Sequence, residues 1–263
     1  MGHNRHYASE SEDTMKRAIT KIRPASGFSH FLHLLFVVLL PLLIYVFVRI
    51  NLAPLAVGLV FLSKWRMFAV RPRHWLANLR ANSVDIMVGI SIIIFMSQTT
   101  TTVFQLIWAA VYALWLLLIK PSTTLFGVSI QALIAQVAGL MAVYTAWGGS
   151  PLYVLVLATW VTCYVAARHF FTSFDEPYSR FLSDTWGYFG AALAWVLGHW
   201  LLYYNIVAQP ALLLSVIGFG LAAMYYLENT DRLSSLLRRQ FVFIMVAIIV
   251  VVLVFSDWGD KAI

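Results

Sequence analysis

The residues whose types are best suited to chemistry lie in one polar segment, residues 168–184, between two long apolar runs. Its candidate catalytic residues are His169, Asp175, Glu176 and Asp184. Neighbouring carboxylates can hold a divalent cation through their oxygens, and the guanidinium groups of Arg168 and Arg180 can hold a phosphate. A transferase or hydrolase acting on a phosphorylated lipid needs this set of groups. Charges in loops usually form only local ion pairs, however, and the spacing matches no metal motif, so we assign no metal and no cofactor.

A second polar segment, residues 64–85, combines cations with tryptophans beside an apolar run. Cations and aromatic rings at the edge of a membrane span are typical of segments that bind anionic lipid headgroups. We therefore expect Arg71, Arg73 and Arg80 to bind anionic lipid or phosphate. Asp85 falls at the predicted start of the third apolar run, where a carboxylate stabilises the first turn of a helix.

The amino-acid composition indicates whether these polar segments belong to a soluble protein or to a membrane protein. Hydrophobic residues make up 61% of the 263 residues and charged residues 11%, whereas soluble domains have about 45–50% and about 25%. This excludes a soluble globular enzyme. The single cysteine, Cys163, excludes a disulfide framework and a cysteine-based metal site. The net charge of +7 does not require a nucleic-acid partner, because basic loops also mark the cytoplasmic side of membrane proteins.

The apolar runs predict the elements that position the polar segments. A helix that crosses a membrane needs about 17–25 mostly apolar residues. Nine runs approach this length: 31–48, 51–63, 84–97, 103–119, 124–147, 151–167, 185–204, 206–227 and 241–256. We therefore predict an all-α fold, a polytopic integral membrane helical bundle with about nine transmembrane helices. The alternative is seven such helices plus a re-entrant pair formed by segment 84–119.

The distribution of lysine and arginine orients this bundle. If all nine runs cross, 16 of the 18 basic residues fall on the side of the N-terminus. Because positive loops mark the cytoplasmic side, we predict a multi-pass protein of the cell membrane with a cytoplasmic N-terminus and an extracytoplasmic C-terminus. The chain then divides into a polar tail, residues 1–27, one transmembrane domain, residues 28–256, and a short outer tail, residues 257–263.

Small and neutral polar residues indicate where the helices pack. The fifth run carries Gly127, Gln131, Ala135 and Ala138 on one helical face, and small residues allow helices to approach closely in lipid. Gln131 and Gln136 are also candidates for a polar path through the bundle. No Asp, Glu, Lys or Arg falls in the middle third of a predicted span. This disfavours proton relays and ion pathways, which usually depend on such residues.

No catalytic motif is present: the sequence has no Walker loop, no H-E-x-x-H and no G-x-S-x-G. The favoured interpretation is a non-catalytic membrane subunit or accessory protein, which needs only a packed bundle and exposed loops. Its expected partners are anionic membrane lipids and another membrane protein. Two alternatives remain: a carrier or channel for a neutral or anionic solute, and a membrane-embedded transferase or hydrolase acting on a phosphorylated lipid at the cytoplasmic face.

Overall fold

The computed structural model describes residues 28–67, 69, 71–199, 203–204 and 207–256. In this part of the chain nine α-helices follow one another: α1 (Phe28–Arg49), α2 (Ala53–Leu62), α3 (Trp75–Gln98), α4 (Thr102–Leu114), α5 (Leu125–Trp147), α6 (Leu152–Thr172), α7 (Ser179–Gly198), α8 (Gln209–Asn229) and α9 (Ser235–Phe255). A π-helical turn, Trp115–Ile119, continues α4, and a two-residue antiparallel pair joins Tyr203–Tyr204 to Val207–Ala208. The tails predicted for residues 1–27 and 257–263 lie outside the described residues.

Six of the described helical segments are long and apolar enough to cross a membrane: Pro72–Gln98, Thr102–Ile119, Leu125–Trp147, Leu152–Thr172, Gln209–Asn229 and Ser235–Phe255. The all-α membrane bundle is thereby confirmed, while the number of crossings, about nine, stays a prediction. The other helices are shorter or more polar in their described parts. The first two segments have 27 and 18 residues, so each half of segment 84–119 is long enough to cross alone, without a re-entrant loop.

Local signals explain several helix starts. The Thr124 hydroxyl accepts a hydrogen bond from the Gly127 amide at the start of α5, and Ser234 does the same for Leu237 at the start of α9. Both are N-caps, which satisfy amides that have no partner inside the helix. Proline occupies the first turn of α2 and of α8, where its missing N–H is not needed.

The contacts divide the chain into two compact units, residues up to Leu40 and residues from Pro41 onward. The described part of the first unit is the beginning of α1. In the second unit α5 packs against α3, α6 and α8, and α6 packs most extensively against α7. A Cβ atom at Gly139 of α5 would lie 2.7 Å from Thr162 Cγ2 of α6. Only a glycine permits this approach, as expected for helices that pack in lipid.

The structure corrects the expected position of Asp85. Helix α3 begins at Trp75, ten residues earlier, and Asp85 lies buried in the helix instead of in its first turn. It lies near the start of the predicted third run, 84–97, so the expectation that the middle third of each span holds no charged residue stays a prediction. The helix extends this far because its polar half contains Leu, Ala and Arg, which are strong helix formers, and no proline or glycine.

Candidate functional site

The first candidate site is a buried group of three charged residues, Lys64, Asp85 and Lys120, called the ion cluster below. Asp85 and Lys64 are 7% and 8% exposed. The ammonium groups of both lysines contact the same carboxylate oxygen, Oδ2 of Asp85, with the Lys120 nitrogen at 2.7 Å. The other oxygen, Oδ1, accepts a hydrogen bond of 2.8 Å from the indole Nε1 of Trp115. Ionisable residues buried among membrane helices are usually functional.

Two helix pairings bring these residues together. Helix α2 runs antiparallel to α3: Val60 lies against Gly89, and beyond the end of α2 the Asn78 side chain donates to the Met67 carbonyl at 3.3 Å. Lys64 lies between these two contacts and therefore faces Asp85. Helix α4 also packs against α3, where Tyr112 lies beside Gly89.

The π-helical turn at the end of α4 supplies the third residue of the ion cluster. Its defining hydrogen bond runs from the Lys120 amide to the Trp115 carbonyl, at 2.9 Å. In a regular α-helix, residues five apart point in different directions, at 100° per residue. The wider π turn, closed by an i→i+5 hydrogen bond, places Trp115 and Lys120 close to one face. Both side chains can therefore reach Asp85.

The ion cluster holds one carboxylate and two ammonium groups. Burial lowers the pKa of Lys64 below its usual value, because desolvation disfavours the charged form. The Lys120 cation lowers it further, and Asp85 opposes the shift without reversing it. The side chain of Lys120 is 39% exposed and keeps contact with solvent. The energetic cost of the excess positive charge therefore falls mainly on Lys64, the deeper lysine.

Gln131 is the residue predicted to pack helices or line a polar path. Its side chain forms hydrogen bonds to the end of the π-helical turn. Its side-chain nitrogen donates to the carbonyls of Ile119 at 2.8 Å, Ser122 at 2.9 Å and Lys120 at 3.3 Å. Helix ends leave such carbonyls without partners inside the helix. Its oxygen lies 3.0 Å from His169 Nε2, and since an amide oxygen only accepts, the histidine donates. Gln131 thus joins the turn before α5 to the end of α6.

The candidate catalytic residues of segment 168–184 face different partners. His169 contacts Gln131, as described above. Glu176 accepts a hydrogen bond from the Tyr225 hydroxyl of α8. Asp184 lies 4.0 Å from the exposed Arg180, and Asp175 is an exposed residue with a positive φ of 51°. Among the described residues, no three His, Cys, Asp or Glu side chains are arranged to hold a metal ion. These groups do not converge on one reaction centre.

The arginines predicted to hold anionic groups occupy separate positions. Arg168 donates to the Ser179 hydroxyl at 2.7 Å, within segment 168–184. Arg71, Arg73 and Arg80 are exposed on the polar start of α3 and the turn before it. The Arg73 Nε donates to the neighbouring His74 ring at 2.9 Å. Exposed cations at a helix end are available to lipid headgroups.

The second candidate site is a cavity of about 600 Å³ between α5, α6, α7 and α8, called the lateral groove below. It extends from the last turns of α6 and α8 to Gln136, half-way along α5. Thr185 and Phe189 of α7 and Leu221 of α8 are exposed members of its wall. The cavity therefore opens sideways, on the outer surface of the bundle between these two helices.

The walls of the lateral groove present hydrocarbon. Their aromatic residues are Phe170, Phe171, Trp186, Phe189 and Tyr225. The polar atoms of Gln136 and Trp186 in the walls already have hydrogen-bond partners. The Gln136 nitrogen donates to the Leu214 carbonyl, and its oxygen accepts from the Trp186 indole, both at 2.9 Å. Buried polar groups with partners of their own need none from a ligand. Gln136 is thus a wall residue of an apolar cavity.

The small residues predicted to lie on one face of α5 have different surroundings in the structure. Ala135 is buried, Ala138 is half-buried, and Gly127 lies beside the Ser122 side chain at the helix start.

Sequence reasoning missed the ion cluster, although one signal was available: no proline or glycine interrupts the chain between Trp75 and Val88, which allows one long helix through Asp85.

Comparison of the chain with protein-family models, with curated proteins and with solved structures finds no match in any of the three.

Proposed function

We propose that this membrane protein is non-catalytic and binds the hydrocarbon chain of a lipid in the lateral groove. One observation carries the proposal: an apolar cavity of about 600 Å³ that opens sideways from a membrane bundle. Ligand sites are typically about 300–1,000 Å³ and mostly apolar. In a bilayer, the medium outside the opening consists of lipid chains, so a chain enters without crossing a polar barrier. The separate partners of His169, Glu176 and Asp184 give no support to catalysis.

Selectivity in the lateral groove must come from packing. Lipid tails are as apolar as the walls, so transfer from bilayer to groove gains nothing from the hydrophobic effect. Close contact with rigid aromatic rings supplies dispersion energy instead. At the polar end Tyr225 donates to Glu176, and the same segment carries Arg168 and Arg180. We assign the headgroup to this end of the groove.

Ala222 offers a way to fill the lateral groove. In the variant Ala222→Phe, the added ring occupies space along the wall, so we expect chain binding to fall several-fold. The protein is reconstituted with a phospholipid that carries a photoactivatable group in its acyl chain, and crosslinked peptides are quantified by mass spectrometry. Crosslinks to Phe170, Phe171 and Phe189 are divided by crosslinks to the exposed face of α9, which reports contact with bulk lipid.

The matched control is Ala110→Phe, which adds the same ring to an exposed position of α4 and should leave the ratio unchanged. An unchanged ratio in Ala222→Phe would contradict the proposal. A second arm replaces Arg71, Arg73 and Arg80 with glutamine. If these cations bind anionic headgroups, each contributing about 1 kcal/mol, the variant loses preference for anionic over zwitterionic probe while its groove crosslinks persist. Another membrane protein as partner stays a prediction.

We also propose that the N-terminus is cytoplasmic in the cell membrane. The contacts that support this orientation link segments predicted to lie inside: Lys64 and Lys120 meet at Asp85, and Gln131 bridges residue 120 to His169. Sixteen of the 18 basic residues share that side if all predicted runs cross.

Cysteine accessibility in the full chain tests the orientation. In a Cys163→Ala background, we introduce Thr123→Cys before α5 or Gly149→Cys after it. Both positions are exposed, and a Cβ at Gly149 meets nothing within 4 Å. A membrane-impermeant maleimide should label intact cells at position 149 and should label position 123 only after the membrane is opened. The reverse pattern would invert the predicted topology.

A further inference from the structure

We propose that the ion cluster is a proton-binding site, in which Lys64 releases and regains a proton while Asp85 and Lys120 stay charged. This inference is independent of the lateral groove, which involves other helices. It begins with the charge count: two ammonium groups contact a single carboxylate oxygen. With all three residues charged, a net positive charge is buried beside a membrane helix, which is energetically costly.

Removing one proton resolves this imbalance, and the surroundings select the residue that loses it. The two ammonium groups share Oδ2 of Asp85, so they lie within the ~4–6 Å over which like charges disfavour each other. Lys120 remains 39% exposed, whereas the side chain of Lys64 is 8% exposed. Water stabilises the charge of Lys120 but hardly that of Lys64. A neutral Lys64 leaves a balanced Asp85–Lys120 pair.

Every packed element around Lys64 contributes to this selection. From α3 it faces the Asp85 carboxylate. From the π-helical turn comes a neutral group, the Trp115 indole, which donates to Asp85. From α4 comes the neutral Tyr112 hydroxyl, which lies close to Gly89 and Val60 and has no hydrogen-bond partner among the described residues. From the turn after α4 comes the Lys120 cation. The only anion among these groups is therefore shared with a second cation.

The exchange step is a simple proton transfer. One Nζ–H bond of Lys64 breaks, its electron pair stays on nitrogen, and the proton passes to water as a hydronium ion. Water reaches the cluster along the exposed side of Lys120. Reprotonation reverses the step and restores the ammonium contact to Asp85. The ligand of this site is the proton alone, and no oxidant or co-reactant is needed.

Carbon NMR of lysine measures this site directly. The chain has only five lysines, at positions 16, 21, 64, 120 and 261, so protein labelled with ¹³C at lysine Cε gives few signals. Comparison with Lys64→Met assigns the signal of interest. We expect the Lys64 signal to titrate below the ordinary lysine value of about 10.4, because burial beside a second cation disfavours its charged form.

Variants of Lys120 and Asp85 test the direction in which each charge shifts the titration midpoint of Lys64. Lys120→Met removes the repelling cation and should raise the Lys64 titration midpoint, whereas Lys120→Arg keeps the charge and should leave it nearly unchanged. Asp85→Asn removes the attracting anion and should lower the midpoint. The proposal is overturned if Lys64 titrates at or above about 10.4, or if Lys120→Met does not move the midpoint.

Thermal unfolding in detergent provides a second readout. Because the pKa of Lys64 is lowered in the folded protein, the unfolded chain binds more protons between that value and about 10.4. Stability therefore rises with pH across this window. We expect the unfolding temperature of the wild type to rise relative to that of Lys64→Met as the pH increases toward 10. Parallel curves for the two proteins would contradict a titrating Lys64.

Discussion

The substitution Asp85→Leu is expected to lower the free energy of unfolding by about 3 kcal/mol. Removing one partner of a buried ion pair typically costs about 3–5 kcal/mol, because the other charge is left without compensation. Here the leucine leaves two ammonium groups facing each other, with Lys64 buried. The lower end of the range applies because Lys120 can turn toward solvent. Denaturation in mixed detergent micelles measures the change.

The double variant Asp85→Leu with Lys64→Met is the matched control. It replaces the two buried charges with apolar side chains of similar length, a change that is often neutral or stabilising. We expect it to recover most of the stability lost in Asp85→Leu. A double variant no more stable than the single one would show that the carboxylate acts through a contact other than its ion pairs, such as the Trp115 indole.

The substitution Gln131→Leu is expected to cost about 2–4 kcal/mol. It removes three donor contacts to carbonyls at the end of the π-helical turn and the acceptor for His169. A buried polar group left without a partner costs about 1–3 kcal/mol, and more than one group is affected here. The same denaturation experiment measures the loss.

Gln105→Leu is the control variant for the stability loss expected in Gln131→Leu. The Gln105 side chain occupies an equivalent place at the other end of α4, where its nitrogen donates to the carbonyls of Thr99 at 2.8 Å and Met96 at 3.3 Å. It serves two carbonyls and no histidine, so its loss should be the smaller one. Equal losses in the two variants would mean that the link from Gln131 to His169 adds nothing to stability.

The sequence predicted the helical bundle well because hydrophobic length is a local property. The runs that became α5, α6 and α9 are apolar over about the length that a bilayer requires, and α5 starts and ends within one residue of its predicted bounds. The same reasoning identified the small residues of α5. No knowledge of neighbouring helices is needed for these conclusions.

The ion cluster could not be predicted in this way because it is assembled from distant parts of the chain. Asp85 stands 21 residues after Lys64 and 35 residues before Lys120. A hydropathy profile therefore treats the lysines as two loop cations and the carboxylate as a helix start. Its burial becomes understandable only once α2 and α4 bring their lysines to it. The lateral groove gives no sequence signal either, since ordinary apolar residues line it.

The short length of α2 has a consequence for the membrane itself. Ten residues form a helix about 15 Å long, half of the ~30 Å thickness of a hydrocarbon core. Its outer face, with Leu55 and Leu62, is exposed, and Lys64 follows directly. A bilayer accommodates so short an apolar surface by thinning or by snorkelling of flanking side chains. We therefore expect the headgroups beside α2 to lie closer to the midplane than they do beside the longer helices.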